Sequence, residues 1–378
     1  MAESEARRYL HPAHPLVTGN RWELLHDGLE AFPSMLRAIR SARYRVRLET
    51  YIFADDAVGQ AFARELVAAA ARGVKVEVLY DWLGSWLTRR SFFRELRAAG
   101  VDARAFNPLA LLGGVRRLLC RDHRKLLAVD GEVAFVGGVN IGAQWAPRGL
   151  GAGWRDDVLR IEGPAAARLE RRFCATWRLE WKTRLKLWVR RRGSASGGWP
   201  GGVGLCVLSS RRAIHAAYLR AIRAATRSVL IAAAYFVPDR AVVRALEEAA
   251  TRGVEVVLVL SGTSDHPWIQ YASRALYGRL FRSGVRIYEW PHGVLHAKTA
   301  VVDGTWGTVG SFNLEGASRR LNHELNVVFA DPEAGRQLEQ ALRADCARCR
   351  AIDPVSWNRR PRWRRLLERL ACAVGRIL

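Results

Sequence analysis

The feature that most constrains the fold of this chain is an internal duplication. The segment AARGVKV at residues 70–76 returns as ATRGVEV at residues 250–256. Around both segments the same patterns follow in the same order: an apolar run of β type, an alanine-rich helical stretch, a valine-rich strand and a second helix that ends at a glycine. Alternating strands and helices are typical of α/β folds. The sequence therefore predicts two similar α/β lobes, each with a mixed β-sheet flanked by helices.

A glycine-rich segment at residues 193–204 interrupts the periodic patterns, as linkers between domains do. We therefore divide the chain into a first lobe at 1–192, this linker, a second lobe at 205–350 and a basic C-terminal tail at 351–378. The chain has 378 residues, of which 49% are hydrophobic, and that is enough for two packed cores.

Each copy of the repeat carries the same polar motif, H-x-K followed by an aspartate, two small residues and an asparagine, at identical spacing. The members are His123, Lys125, Asp130, Gly138 and Asn140 in the first copy and His296, Lys298, Asp303, Ser311 and Asn313 in the second. The chain has 60 lysines and arginines, only five of them lysines, yet two of the five follow a histidine by two places. The motif therefore selects a compact ammonium group over the planar guanidinium used elsewhere.

Side chains two residues apart on a strand point to the same side, so each His–Lys pair should project together, and the two lobes should bring both pairs to one cleft at their interface. The lysines, the amides of Asn140 and Asn313 and the hydroxyl of Ser311 would then surround a phosphoryl group. No metal or cofactor is needed, because the lysines supply the positive charge. Asp130 and Asp303 are counted with the candidate catalytic residues, although a structural role in a turn is the favoured interpretation.

A histidine that attacks phosphorus needs an acidic partner at its second ring nitrogen, which fixes the tautomer. The candidates are Asp156, in the segment WRD, and Glu324, in the segment NHELN. We predict that these two carboxylates orient the two histidines.

The paired motifs resemble those of the phospholipase D superfamily, and the likeness extends over residues 19–345 to the bacterial cardiolipin synthases of the B type. The segments that carry it are LETYIF at 48–53, DWLGS at 81–85, WRD at 154–156, YFVPD at 235–239 and LHAK at 295–298. The resemblance implies a two-step transfer of a phosphatidyl group from phosphatidylglycerol or phosphatidylethanolamine to a hydroxyl of phosphatidylglycerol, through a phosphohistidine. It implies His123 as the nucleophile and His296 as the acid and then the base. A lipid hydrolase and a nuclease of the same superfamily are the alternatives.

The partner is predicted from charge and from the tail. A formal charge of +24 attracts polyanions, either acidic lipids or nucleic acid. In the tail, arginines surround one helical stripe of apolar side chains, a pattern typical of helices in the interface of an anionic bilayer. The stripe consists of Trp363, Leu366, Leu367, Leu370, Val374 and Ile377. The tail favours an anionic phospholipid surface over nucleic acid, and the alternative is a helix docked on the protein core.

The sequence has no apolar run of the roughly 18 residues that a membrane-spanning helix needs, and its N-terminus lacks the layout of a signal peptide. Together with the resemblance, this predicts a peripheral protein on the cytoplasmic side of the bacterial cytoplasmic membrane. The segments 109–112 and 177–192 are further candidates for contact with lipid. A monomer is sufficient, since one chain carries both motifs.

Overall fold

The computed structural model describes residues 8–108, 120–146, 153–182 and 199–375. The apolar segment 109–112, most of the basic segment 177–192 and the first half of the predicted linker lie outside these ranges. Within them, no helix is both long and apolar enough to cross a bilayer.

The first copy of the repeat runs from strand β1 to helix α4. Its elements are β1 (Val17–His26), α1 (Asp27–Ser41), β2 (Arg45–Thr50), α2 (Ala57–Ala71), β3 (Lys75–Asp81), α3 (Arg90–Ala98), β4 (Asp102–Phe106), β5 (Leu126–Val129), β6 (Val133–Gly137), a 3-10 helix (Ala143–Trp145), β7 (Asp157–Glu162) and α4 (Pro164–Lys182).

The second copy repeats this order from β8 to α9, and three further elements follow it. The elements are β8 (Val203–Leu208), α5 (Arg211–Ala224), β9 (Ser228–Ala233), α6 (Arg240–Thr251), β10 (Glu255–Thr263), α7 (Pro267–Arg282), β11 (Arg286–Val294), β12 (Lys298–Val302), β13 (Trp306–Gly310), α8 (Gly316–Arg320), β14 (Asn326–Ala330), α9 (Pro332–Arg348), β15 (Arg350–Ala351), α10 (Pro354–Asn358) and α11 (Arg362–Gly375).

The duplicated sequence explains why both copies form the same elements. Asp56 and Asp239 cap the first turns of α2 and α6, where each carboxylate accepts two backbone N–H groups. At the ends of these helices, Gly73 and Gly253 have φ angles of +84° and +88°, a left-handed conformation that glycine adopts without steric cost. The chain then turns directly into β3 or β10, so the AARGV and ATRGV segments end a helix and begin a strand.

The strands of the described ranges form one mixed sheet in the order β15-β11-β10-β9-β12-β13-β14-β8-β1-β7-β6-β5-β2-β3-β4. The strand triplets β2-β3-β4 and β9-β10-β11 are parallel, and the pairs between them are antiparallel. Between β11 and β4 the order is symmetric: equivalent strands of the two lobes lie at equal distances from the central β1–β8 pair. The predicted α/β class with two duplicated lobes is confirmed, and the two lobe sheets join edge to edge.

The lobes also share a core. One buried apolar cluster contains Leu159 and Phe173 of the first lobe together with Val301, Val327 and Phe329 of the second. Two further clusters lie on the opposite face, one in each lobe. Because burial of such side chains stabilises by about 1.5–3 kcal/mol each, the interface between the lobes belongs to the folded core, which fixes the relative position of the two motifs.

The first and last described segments of the chain pack on the second lobe. Tyr9 is buried in the core of that lobe, although the predicted boundary gave residues 1–192 to the first. Trp177, a candidate for lipid contact, is buried against Phe173 in the core, because the face of α4 that carries both rings covers the sheet.

The sequence left two alternatives for the tail, a helix at a membrane surface and a helix docked on the protein core, and α11 has features of both. Its buried face, with Glu368, Ala371 and Cys372, packs on the second lobe, and Glu368 pairs with Arg360. The predicted apolar stripe faces away from this contact. Its described side chains are exposed by 58% at Trp363, 58% at Leu366, 40% at Leu367 and 55% at Leu370. The helix is therefore docked on the core and still presents its apolar stripe to the surroundings.

Candidate active site

Both H-x-K motifs reach one cavity of about 260 Å³ between the lobes. It lies at the carboxyl ends of the parallel strand triplets, the edge where α/β sheets commonly bind ligands. The side chains that line it include Tyr51, Arg121, His123, Asn140, Trp145 and Trp154 of the first lobe and Tyr235, Asp265, His266, His296, Asn313 and Asn322 of the second. Pockets that enclose a drug-sized ligand are commonly 300–1,000 Å³, so this cavity has room for a ligand somewhat smaller than that.

The histidines lie just before regular strands. Strand β5 begins at Leu126 and β12 at Lys298, so the His–Lys pairs, which the spacing placed on a strand, begin three and two residues before the regular strands. The backbone before each histidine pairs instead with a segment of the other lobe. Single parallel bridges join Asp122 to His323 and Arg155 to Leu295.

These bridges bind the two halves of the site to each other. The N–H of His123 donates to the carbonyl of His323 at 3.0 Å, and the N–H of His296 donates to the carbonyl of Arg155 at 2.6 Å. The residue that follows each of these carbonyls is one of the two acids, Asp156 or Glu324. Each histidine is therefore held beside the acid of the opposite lobe.

The side chains follow this crossed arrangement. Nδ1 of His123 lies 3.2 Å from the Glu324 carboxylate, and Nδ1 of His296 lies 2.6 Å from Oδ2 of Asp156. All four groups are buried or nearly so. Since Nδ1 of each ring faces a carboxylate, Nε2 is the nitrogen that each histidine can offer to a substrate.

Different donors hold the two acids. Asp156 accepts from the indole N–H of Trp145 at 3.1 Å, whereas Glu324 accepts from the hydroxyls of Ser311 and Ser318. Ser311 was predicted to bind phosphate, but its side chain is fully buried and its hydroxyl donates to Glu324. Trp145 and Ser318 both stand five residues after the motif asparagine, a correspondence in the repeat that sequence reasoning could have found.

The lysines lie directly beneath the histidines. Nζ of Lys125 donates to the carbonyl of His123 at 2.6 Å, and Nζ of Lys298 makes the equivalent bond to His296. Both are buried. Asn140 accepts from the N–H of Ile52 through Oδ1 at 3.1 Å, so its amide N–H groups are what it can offer to a ligand.

Burial controls the protonation of the site. It lowers the pKa of Lys125 to about 7 and that of Lys298 to about 8, and for Lys125 the neighbouring Lys298 adds repulsion. Burial also lowers the pKa of both His123 and His296, which favours the neutral form of each imidazole. It raises the pKa of Asp156 to about 7. An anion would relieve the unfavourable burial of the two ammonium groups.

Asp130 and Asp303 lie at the far ends of β5 and β12, away from the histidines. Both have left-handed backbone, with φ of 56° and 54°. The Asp130 carboxylate accepts the N–H groups of residues 43, 44 and 45 at 2.8–2.9 Å. Asp303 binds the equivalent amides of residues 226–228 and the Tyr9 hydroxyl. The hydrogen bonds of Asp130 and Asp303 thus stabilise the backbone at the starts of β2 and β9.

We expect Asp130→Asn to lower the free energy of unfolding by about 1–3 kcal/mol, because an amide cannot accept three N–H groups as a carboxylate does. Asparagine tolerates the left-handed backbone, so the change isolates the lost acceptor. Chemical denaturation measures the effect. Turnover per folded molecule should fall far less than in variants of His123; equal losses would place Asp130 in the chemistry instead.

Sequence reasoning did not assign a role to the aromatic and acidic side chains of the cavity wall. Tyr51 and Tyr235 occupy equivalent places after β2 and β9 and lie edge-on to His123 and His296. Asp265 and His266 follow β10. The tyrosines could have been found from the repeat, but Asp265 has no counterpart in the first lobe.

The family model described as "Cardiolipin synthase, PLD-like domain" matches residues 35–177 and 218–346, well over half of the chain. A cardiolipin synthase of Listeria innocua is 33% identical over 96% of this chain and 76% of its own length. Cardiolipin synthase B of Escherichia coli K12 is 35% identical over 91% of this chain and 85% of its own length.

Among solved structures, the phosphatidylserine synthase of Haemophilus influenzae has the same fold, with a TM-score of 0.76 and 99% of each chain covered at 14% identity. At that identity the likeness concerns the fold alone. The family match and the relatives over nearly the whole chain identify its place: it belongs to the cardiolipin synthase family of phospholipase D-like enzymes.

Proposed function

We propose that the chain is a cardiolipin synthase, which transfers a phosphatidyl group from phosphatidylglycerol or phosphatidylethanolamine to a hydroxyl of a second phosphatidylglycerol. The observation that carries the proposal is the crossed site: two buried His–Lys pairs, each completed by the acid of the other lobe, around one cavity in a chain of this family. Two histidines on one phosphoryl site suit a double displacement, in which each takes a different role.

In the first step, Nε2 of His123 attacks phosphorus. The N–P bond forms while the P–O bond to the headgroup alcohol breaks. The alcohol oxygen takes a proton from Nε2 of His296, and the proton held on Asp156 passes to Nδ1 of the same ring. In the second step, a hydroxyl of phosphatidylglycerol gives its proton to His296 as its oxygen binds phosphorus and the N–P bond breaks. The reaction returns both histidines to their starting state and releases cardiolipin.

The two histidine–acid pairs differ in a way that supports this order of roles. His296 and Asp156 are 2.6 Å apart, and Asp156 has a pKa raised to about 7 by burial, so this pair can hold a proton at neutral pH and deliver it to a leaving alcohol. His123 lies beside Glu324, whose carboxylate accepts two hydroxyl groups. That acid is held as an acceptor, which fixes the proton of His123 on Nδ1 and leaves the Nε2 lone pair for attack.

The charge on the phosphoryl oxygens would be balanced by the surrounding donors. Lys125 and Lys298 are both within the field of both acids, and Asn140 and Asn313 line the cavity. Preorganised donors of this kind act most strongly where water is excluded.

The lowered lysine pKa values predict a falling alkaline limb. As pH rises through about 7–8, Lys125 and Lys298 of the free enzyme lose the protons that attract the phosphodiester. We therefore expect kcat/KM, which reports ionisations of the free enzyme, to decrease above pH 8. Initial rates on vesicles of constant charge measure it. A profile that stays level to pH 10 would contradict the buried ammonium groups as the attracting charge.

An anionic membrane surface is the proposed partner. Exposed apolar side chains, here called the apolar rim, follow β3 and β10 at the edge of the sheet that holds the cavity. The apolar rim consists of Leu83, Trp86, Leu87, Trp268 and Tyr271. Beside its first part, the Ser85 hydroxyl donates to the carbonyl of Tyr51 at 3.2 Å, and its second part follows Asp265 and His266. Both parts therefore flank the cavity through which lipid headgroups would enter.

The stripe of α11 extends this surface, because α11 packs along α7, the helix that carries Trp268 and Tyr271. Arg364, Arg365 and Arg369 are exposed on the same helix and would contact acidic headgroups. We infer peripheral binding to the cytoplasmic face of the bacterial membrane, without nucleic acid as a partner. One copy of the chain suffices, since it supplies both motifs.

We expect Leu370→Glu to weaken binding to phosphatidylglycerol vesicles about tenfold or more, since it removes a leucine from the lipid interface and adds a repelled charge. Vesicle co-sedimentation measures this. Tyr44→Glu is the matched control, because Tyr44 is exposed but precedes β2 at the opposite end from the cavity. Equal losses in both variants would show that charge alone, and not the stripe, controls binding.

The proposed activity is tested with purified protein and phosphatidylglycerol vesicles, with the lipid products followed by mass spectrometry and a plasmid as a second substrate. Cardiolipin and glycerol are the expected products. Phosphatidic acid alone would make the protein a hydrolase, and a cleaved plasmid beside unchanged lipid would make it a nuclease.

A further inference from the structure

A tyrosine–aspartate pair forms part of the second lobe's wall of the active-site cavity. The hydroxyl of Tyr235 lies 2.7 and 2.8 Å from the two carboxylate oxygens of Asp265, to which it donates. Nε2 of His266 lies 3.6 Å from the same carboxylate. All three side chains line the cavity, so a ligand beside His296 would meet them.

Nothing in the phosphate chemistry calls for this carboxylate. A negative charge beside the site opposes an anionic lipid, and Asp265 is near enough to act electrostatically on both His296 and Lys298. In the ranges that the structure describes, no lysine or arginine forms an ion pair with it. A carboxylate that neither holds the fold through an ion pair nor helps the phosphate needs another explanation.

The repeat shows that this wall has diverged. In the first lobe the strand equivalent to β10 ends at Asp81, whose carboxylate is occupied by the backbone N–H groups of Leu83, Gly84 and Asp122. The first lobe's wall presents Arg121 to the cavity instead. Arg121 is paired with Asp81, so charge on the first lobe's wall is balanced, whereas the second lobe's wall holds a carboxylate without a lysine or arginine partner in the described ranges. The two walls can therefore bind chemically different parts of a substrate.

Toward a ligand, the Tyr235–Asp265 pair can only accept hydrogen bonds. The Tyr235 proton is already given to Asp265, which leaves lone pairs on the phenol oxygen and on the carboxylate for donors of a ligand. The donors on offer in a phospholipid headgroup are hydroxyls or an ammonium group. The buried ammonium groups of Lys125 and Lys298 nearby repel another cation, which favours neutral hydroxyls.

We propose that Tyr235 and Asp265 bind the free hydroxyl of a polyol, holding the glycerol that leaves from the donor lipid and then the glycerol moiety of the acceptor lipid. The proposal rests on the proposed phosphatidyl transfer and deepens it. In an in-line double displacement, the leaving and the entering alcohol occupy the same position, opposite the nucleophilic histidine and beside the acid. The ring of Tyr235 lies 6.2 Å from that of His296, which puts the pair beside that position.

The test is a competition between two alcohols. Phosphatidylglycerol vesicles are incubated with isotopically labelled glycerol and 1-propanol at equal concentration, and labelled phosphatidylglycerol and phosphatidylpropanol are quantified by mass spectrometry. We expect Asp265→Asn to lower the glycerol-to-propanol product ratio about tenfold or more, because only glycerol has a second hydroxyl to lose its acceptor. Formation of phosphatidylpropanol should change much less.

Two further variants support the comparison. Tyr235→Phe should lower the ratio in the same direction by a smaller factor, and it keeps the test open if Asp265→Asn folds poorly. Asp102→Asn removes an exposed aspartate at the start of β4 and should leave the ratio at the wild-type value.

Three results would overturn the proposal: an unchanged ratio in both wall variants, equal loss of both products, or an equal shift in the Asp102 control. Ethanolamine as a third acceptor identifies the ligand class; if Asp265→Asn impaired its use and spared glycerol, the wall would be an ammonium site. If wild-type protein formed neither product, the proposed transferase function itself would fail, and that outcome is distinct from a change of ratio.

Discussion

Replacing His123 with alanine should reduce phosphatidyl transfer by a factor on the order of 10⁴ or more, with little loss of stability. The imidazole forms the covalent bond to phosphorus in the proposed mechanism, and no other described group with a nucleophilic nitrogen is placed in the first lobe's part of the cavity. The ring lies at the cavity wall, so its removal leaves the shared core intact. Cardiolipin formation and thermal unfolding, measured on the same preparation, check both halves of this expectation.

The matched control is His215→Ala, because His215 also has a carboxylate partner, Asp239 at 2.9 Å, but lies outside the cavity.

A phosphatidyl ester of p-nitrophenol then separates the roles of the two site histidines, since this alcohol leaves without needing a proton. His296→Ala should still release a burst of p-nitrophenol from such a substrate, and His123→Ala should not. A burst in His123→Ala and none in His296→Ala would make His296 the nucleophile and His123 the acid.

The fold and the residues that meet at the cavity could be predicted from local sequence, because the same patterns occur twice in the chain. The repeated AARGV segment predicts the end of a helix followed by a strand, and the repeated H-x-K predicts a His–Lys pair at the start of another strand. Asp156 and Glu324 could be selected as orienting acids for the same reason. The extension of the repeat back to β1 and β8 was missed, since Val17–His26 and Val203–Leu208 share little sequence.

What could not be predicted depends on contacts between the lobes. The exchange of acids, in which His123 faces Glu324 and His296 faces Asp156, follows from two single bridges across the interface, and neither has a signature in the local pattern. The burial that shifts the lysine pKa values is likewise a property of the closed interface. The role of Ser311 was mistaken because the sequence does not tell which wall a hydroxyl faces.

The difference between the two motifs, Gly138 in the first and Ser311 in the second, leads to the other prediction of large effect. A Cβ atom at position 138 would lie no more than 2.6 Å from both carboxylate oxygens of Asp156. Bonds from the Trp145 indole and the N–H of Asp157 fix that carboxylate at 3.1 and 2.9 Å. In the second lobe the longer Glu324 leaves space for a serine, which donates to it.

Gly138→Ser would give the first motif the residue that the second already has, and we still expect it to lower kcat about 100-fold or more. The new side chain must displace Asp156 from His296, and a misplacement of about 1 Å in a catalytic group can have this effect. Ser311→Gly is the reciprocal variant; it removes one donor to Glu324 without a clash, so its loss should be clearly smaller. Steady-state kinetics on both, with circular dichroism to verify folding, decide the matter. The opposite result would be normal kcat in Gly138→Ser and a large loss in Ser311→Gly. It would show that the space beside Asp156 or Glu324 does not determine which small residue stands in each motif.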